Sequence, residues 1–120
     1  MKKFGLIAVL VLALFIRVWG LNRVPPELFG DELDVGYHAY SLLKTGRDYS
    51  GQFLPTYIHS FSEWRAPLLM YATAPFIGIF GLNQWGVRLP NAIFGVITIL
   101  LLYLLVEKTL KSSRIALFSA

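Results

Sequence analysis

The sequence predicts an all-α integral membrane fold: two transmembrane helices joined by a long external segment with interfacial helices, and a third span beginning at the C-terminus. Three observations carry this. Hydrophobic side chains make up 56% of the 120 residues against 15% charged, with a mean hydropathy of +0.59, a balance that a soluble domain of this size does not keep in water. Two long apolar runs lie near the ends of the chain. Basic clusters flank them, Lys2-Lys3 before the first and Lys108, Lys111 and Arg114 after the second.

The first span is predicted over residues 1–21. Lys2 and Lys3 precede the uncharged run Phe4 to Ile16, which continues through Arg17 and Trp19 to Leu21. From Phe4 that is about 27 Å of helix, enough to cross a bilayer. Arg17 and Trp19 read as anchors at the far boundary, where a guanidinium reaches headgroups and an indole suits the interface. A cleaved signal peptide is the rival reading. Arg17-Val18-Trp19 stands where a small-residue cleavage site belongs, which argues against it.

The second span, 89–106, is uncharged and rich in Ile, Leu and Val, with Asn91, Thr98 and Tyr103 as its polar interruptions. A basic cytoplasmic loop, 107–114, follows, and Ile115 to Phe118 open the third span. Both basic clusters belong in the cytoplasm by the positive-inside rule, so the chain crosses an even number of times between them. The formal charge of +4 is therefore a topology signal, with no nucleic acid implied. Localisation follows: plasma membrane, multi-pass, N-terminus cytoplasmic, loop 22–88 extracytoplasmic.

That external loop holds six of the seven acids, Glu27, Asp31, Glu32, Asp34, Asp48 and Glu63, against Arg23, Lys44, Arg47, Arg65 and Arg88. A loop so long is functional or disordered, and its many aromatics argue against disorder. Pro25-Pro26 forces extended chain, after which Asp31 reads as the N-cap of an interfacial helix at about 32–45. Leu33, Tyr37, Tyr40 and Leu43 set its helical spacing and Gly46 ends it. Residues 45–51 read as turns and Gln52 to Phe61 as extended or irregular chain. A second interfacial or re-entrant helix is predicted at about 66–81, favoured over the alternative of a true crossing because the run is short and is interrupted by Pro67, Pro75, Gly78 and Gly81. Arg88 reads as the outer anchor of the second span.

No cysteine is present, which excludes disulfide scaffolds, zinc ribbons and thiol nucleophiles. No nucleotide loop, serine-hydrolase elbow or zinc-protease motif occurs either. Chemistry falls to the carboxylates at the membrane edge, Asp31 and Glu32 as catalytic candidates, and to Arg65 as the substrate-binding cation. A carboxylate there can take a proton from a hydroxyl, and a guanidinium can grip a lipid phosphate. The bland readings are a helix cap for Asp31, a solvated Glu32 and a headgroup anchor for Arg65. His38 follows Asp34 by four residues and reads as a helix-face pair. His59 lacks a ligand-spaced partner, so no metal site is predicted.

Gly30-Asp31-Glu32, Tyr40 to Asp48, Trp64-Arg65-Ala66-Pro67-Leu68-Leu69, Phe80-Gly81 and Val87-Arg88-Leu89-Pro90 together form a familiar order. It resembles the N-terminal part of C-type membrane glycosyltransferases, nearest to the dolichyl-phosphate-mannose protein mannosyltransferase and aminoarabinose transferase superfamily. Each motif is short and only their order is specific. The resemblance implies transfer of a sugar from a polyprenyl-phosphate donor to an acceptor hydroxyl on a lipid, glycan or protein. Asp31 would be the activating base, Glu32 its neighbour and Arg65 the phosphate ligand. It leaves divalent-metal use open and implies no other cofactor.

Leu33-Asp34-Val35 departs from the Thr-Arg-Tyr of the aminoarabinose branch, so lipid A specificity is not implied. The family's later spans are missing, and the chain reads as an N-terminal fragment, inactive alone. The competing reading is a small two-span membrane protein whose external segment binds a partner without catalysis. A transporter fragment ranks behind both, because neither span has a charge at its centre.

Overall fold

The computed structural model describes residues 2–120; Met1, at the head of the predicted first span, lies outside the described residues. The chain is mostly helical, with elements α1 (Lys2–Val18), α2 (Gly30–Thr45), β1 (Ile58–Ser60), β2 (Glu63–Arg65), α3 (Leu68–Phe80), α4 (Gln84–Leu110) and α5 (Ser113–Ser119). It divides into two compact units, one made of the chain up to Trp19 with Ala92–Ala120, the other of Gly20–Asn91.

In the first unit α5 lies against α1, with Gly5 leaving room for Leu117. Glu107 ties the turn between α4 and α5, its carboxylate accepting from Tyr103 Oη at 3.1 Å and Ser113 Oγ at 2.6 Å. Arg17 donates from Nη1 to the Ala13 carbonyl at 3.2 Å, folding back on its own helix. Of the described helices, α4 is long and apolar enough to cross a membrane, and its 27 residues amount to about 40 Å. The apolar part of α1, Phe4–Val18, and α3 are shorter. At 13 residues, or about 20 Å, α3 falls short of a hydrocarbon core of about 30 Å.

The second unit is built on the packing of α2 against α3. Ala39, Ala74, Ile77 and Val87 form one apolar cluster with Leu28 against it; Leu42, Ile58 and Met70 form another with Val35 and Tyr71. Small residues set the approach. A Cβ on Gly36 would stand 3.0 Å from Leu82 Cδ1 and 3.1 Å from Val87 Cγ2. One on Gly86 would collide with the Gly81 carbonyl oxygen, so the start of α4 can fold back on the end of α3 because no side chain intervenes. Gly46 ends α2 in the left-handed region, φ 67°, its N–H returning to the Leu42 carbonyl, as its position predicts.

Three expectations need correcting. The fold is not purely helical, because residues 58–65 pair as an antiparallel ribbon, Ile58 opposite Arg65 and Ser60 opposite Glu63. Its two-residue turn puts Phe61 at φ 52°, a left-handed conformation that costs a non-glycine residue about 1–2 kcal/mol. The N-cap of α2 is Phe29, not Asp31: Phe29 has extended angles, and Glu32 three residues on accepts its N–H at 3.1 Å. Arg88 is 6% exposed and turned into the protein, where the sequence suggested an anchor reaching outward.

Candidate active site

The first turn of α2 presents Asp31 and Glu32 on different sides of the helix, because neighbours in sequence are about 100° apart around it. Their environments differ accordingly. Asp31 is 66% exposed at the side chain and meets Arg65, with Arg65 Nη2 donating to its Oδ1 at 2.8 Å. Glu32 faces Arg88 in a two-pronged pair, Nε to Oε1 at 2.8 Å and Nη2 to Oε2 at 2.9 Å. The pair places these two predicted site residues apart in role: one rim carboxylate against Arg65, one held by a buried cation.

Arg88 spends all five of its N–H donors inside the unit. Besides Glu32 they reach the carbonyls of Leu21 at 2.7 Å, Pro25 at 2.9 Å and Glu27 at 2.8 Å. A segment made irregular by Pro25-Pro26 thus finds partners for its carbonyls in one side chain. The Arg88 hydrogen bonds hold the Glu32 carboxyl below its usual range, reinforced by the Phe29 N–H against the opposing effect of burial.

Arg65 comes from β2, where alternation puts Glu63 and Arg65 on one face. Glu63 Oε1 accepts from Arg65 Nε at 2.9 Å and Nη2 at 2.7 Å. The remaining amino group, Nη1, stands 3.5 Å from Asp34 Oδ2. Asp31 and then Glu63 push the guanidinium pKa above its already high value. The cation reaches three carboxylates, two exposed and one buried.

Asp34 is the functional candidate that sequence reasoning missed. It lies three residues after Asp31 and so on the same side of α2, a spacing that could have flagged it. Its side chain is 1% exposed and accepts from Ser60 Oγ at 2.6 Å and Tyr49 Oη at 3.3 Å. Burial, followed by the charge of Asp34 and its hydrogen bond, pushes the Tyr49 hydroxyl pKa up. Asp34, Tyr49 and Phe61, with Gly30, Leu33 and Tyr37, line an open, largely apolar cavity of about 380 Å³.

Beneath Tyr49 lies His38, fully buried, its ring stacked on the phenol at 3.8 Å between centroids. Its Nε2 is 3.7 Å from Asp34 Oδ1, and neither ring nitrogen has a hydrogen-bond partner. Burial depresses the His38 pKa, opposed by Asp34 and Asp48 and aided by Arg65. Asp48 itself is pushed up by burial, yet hydrogen bonds from Ser50 Oγ and the Gln52 N–H bring it below its ordinary value.

The His38 shift has a definite sign in stability. A base with a depressed folded pKa stays neutral in the fold while the unfolded chain takes up the proton, so stability present above about pH 6.5 is lost as pH falls through the folded value. The melting temperature is expected to fall on acidification from about pH 7 towards 5, ahead of the carboxylate range. His38→Phe, which keeps a ring on Tyr49 but cannot titrate, should flatten that slope. An unchanged slope would place its origin elsewhere.

His59 pairs across the ribbon with Trp64, edge to face at 5.0 Å. Among the described residues no group of three or more His, Asp or Glu side chains is placed to hold a metal ion.

Comparison with known proteins adds a similarity to this geometry. No solved structure matches the chain. A relative from Aquifex aeolicus (strain VF5), described as an uncharacterized protein, is 34% identical over 122 residues, covering 99% of this chain and 22% of the relative. The chain thus spans about a fifth of the length of the relative it matches. The dolichyl-phosphate-mannose-protein mannosyltransferase family matches residues 64–120, a stretch that begins beside Arg65 and includes Arg88 and the long apolar helix α4. Over that stretch the chain is similar to dolichyl-phosphate-mannose-protein mannosyltransferases, and the match supports a glycosyltransferase-like membrane protein.

Proposed function

We propose that the full-length polypeptide carrying this chain transfers a sugar from a polyprenyl-phosphate donor to an acceptor hydroxyl on the extracytoplasmic side of the membrane. The observation that carries the reading is the contact between Arg65 and Asp31, 34 residues apart in sequence and 2.8 Å apart in space. A phosphate-binding cation and a proton acceptor lie side by side at an exposed rim, and the family match begins beside the cation.

In the proposed reaction the acceptor oxygen attacks the anomeric carbon as the bond from that carbon to the phosphate oxygen breaks. Asp31 takes the hydroxyl proton. Arg65 stabilises the charge growing on the departing polyprenyl phosphate, an interaction stronger in the transition state than in the ground state. Glu32, with both oxygens engaged by Arg88, braces the first turn of α2 so that Asp31 keeps its place. The two-span topology with an external 22–88 segment belongs to the same proposal, since it puts Asp31 and Arg65 on the side where lipid-linked sugars are consumed.

Membrane vesicles containing the full-length protein, given a radiolabelled polyprenyl-phosphate mannose, are expected to move label into an acid-stable glycoside. The donor's own sugar-phosphate bond is acid-labile, which separates substrate from product. Label transferred from a nucleotide sugar instead, or no transfer beyond vesicles lacking the protein, would overturn the reading.

A further inference from the structure

The three carboxylates around Arg65 are not equivalent. Asp31 and Glu63 are 66% and 62% exposed at their side chains and share the outer edge of the guanidinium, Nε and Nη2. Asp34 is 1% exposed and faces the inner amino group, Nη1. Its position is fixed independently of Arg65, by the Ser60 hydroxyl from β1 and the Tyr49 hydroxyl from the preceding loop.

We propose that Asp34 is a positioning residue that holds the inner edge of Arg65 while a phosphate group takes the outer edge by displacing Asp31 and Glu63. The idea rests on the phosphate-binding reading of Arg65 given above and deepens it. Solvent-exposed ion pairs are weak and exchange readily, whereas taking the cation away from Asp34, the buried partner, would leave a buried carboxylate uncompensated. A phosphate can take the planar Nε–Nη2 edge with two parallel hydrogen bonds, whereas both donors of that edge now converge on the single Oε1 of Glu63. A lysine has one point charge and no second edge, so it could not grip phosphate and Asp34 in this way.

One consequence is an order of events. With the phosphate absent, Asp31 is engaged as an acceptor by Arg65. Arrival of the phosphate releases Asp31 at the moment a donor is in place, so the base becomes free when there is a sugar to transfer.

The test is a titration of the purified full-length protein with polyprenyl monophosphate, read by tryptophan fluorescence through Trp64 beside Arg65. The matching polyprenol and inorganic phosphate run in parallel. Wild-type binding should require the phosphate, and a preference for the lipid over inorganic phosphate identifies a lipid-phosphate site, whereas equal binding identifies a phosphate site without lipid selection; the fork holds in both. Asp34→Asn and Arg65→Lys should each weaken binding by about tenfold, while Glu63→Gln and Asp31→Asn, which remove competitors, should tighten it by about two- to fivefold. This opposite response separates positioning from a merely structural role, which would lower melting temperature without changing the affinity of folded protein. If Asp34→Asn does not accumulate, Ser60→Ala frees the same Oδ2 and should weaken binding in the same direction.

Binding that depends on Arg65 but is as tight in folded Asp34→Asn or Ser60→Ala as in wild type overturns the positioning role alone. Binding unaffected by Arg65→Ala, or no binding by wild type, overturns the phosphate reading beneath it.

Discussion

Asp31→Asn in the full-length protein is expected to lower sugar transfer from a polyprenyl-phosphate donor by about 10²–10⁴-fold, the usual contribution of a positioned general base. The substitution keeps the shape of the side chain and its capacity to accept a hydrogen bond from Arg65, but removes the ability to take a proton at neutral pH. It also leaves the fold untouched, because Phe29 and Glu32, not Asp31, close the start of α2. The loss should therefore fall on turnover, with protein level and melting temperature unchanged. Binding of the lipid phosphate should tighten by about two- to fivefold, since Asn competes less well for Arg65. Transfer retained within tenfold would take Asp31 out of the chemistry and leave its pairing with Arg65 as an ordinary surface contact. Asp31→Glu gives an informative intermediate: the base returns on a longer arm, so partial activity is expected.

Arg88→Met carries the largest expected loss of stability, about 3–5 kcal/mol, the range for breaking a buried ion pair by removing one partner. Methionine fills much of the same volume, so the loss would come from what Arg88 binds: Glu32 loses both of its guanidinium contacts, and the carbonyls of Leu21, Pro25 and Glu27 lose their donor together. The change should appear as a lowered melting temperature of the purified protein in detergent. Faster amide exchange should be confined to the segment before α2 and to its first turn. Adding Glu32→Met to Arg88→Met should recover part of the loss, because the uncompensated carboxylate disappears with its partner. A single Arg88→Met protein that melts within a degree or two of wild type would show that water replaces the guanidinium, and that the pair is not what fixes Glu32.

Much of this architecture was legible because it is local. The apolar run of α4 announces itself by composition, and the left-handed Gly46 by its place after a helical pattern. Three features were not legible, the first because its strands are short and the other two because their partners are distant in sequence. The ribbon at 58–65 has strands of three residues, too short for alternation to register, and the preceding Pro55 reads as loop. Arg88 looked like an interfacial anchor because its five hydrogen bonds go to four residues between 21 and 32, made neighbours only by folding. Asp34 looked like half of a pair with His38, and that contact exists at 3.7 Å, but the shorter bonds that define it come from Ser60 and Tyr49, 26 and 15 residues away. Asp31 was singled out as a carboxylate at the membrane edge, and its bland alternative, the cap of α2, is excluded because Phe29 and Glu32 close that helix.

The ribbon turning at Phe61 has a bearing on how such a site diversifies. The proposed proton acceptor, Asp31, and the proposed phosphate ligand, Arg65, reside on separate scaffolds, a sixteen-residue helix packed on another helix and a hairpin of two three-residue strands. Two-stranded hairpins are only marginally stable by themselves, and this one is tied down by buried Ile58 and Ser60, so natural drift is cheap at its exposed positions His59, Ser62 and Trp64 while drift at Ile58 or in the helix disturbs a packed layer. Under the proposed function, headgroup preference can therefore be retuned by editing those exposed hairpin residues while the carboxylate on its helix stays undisturbed.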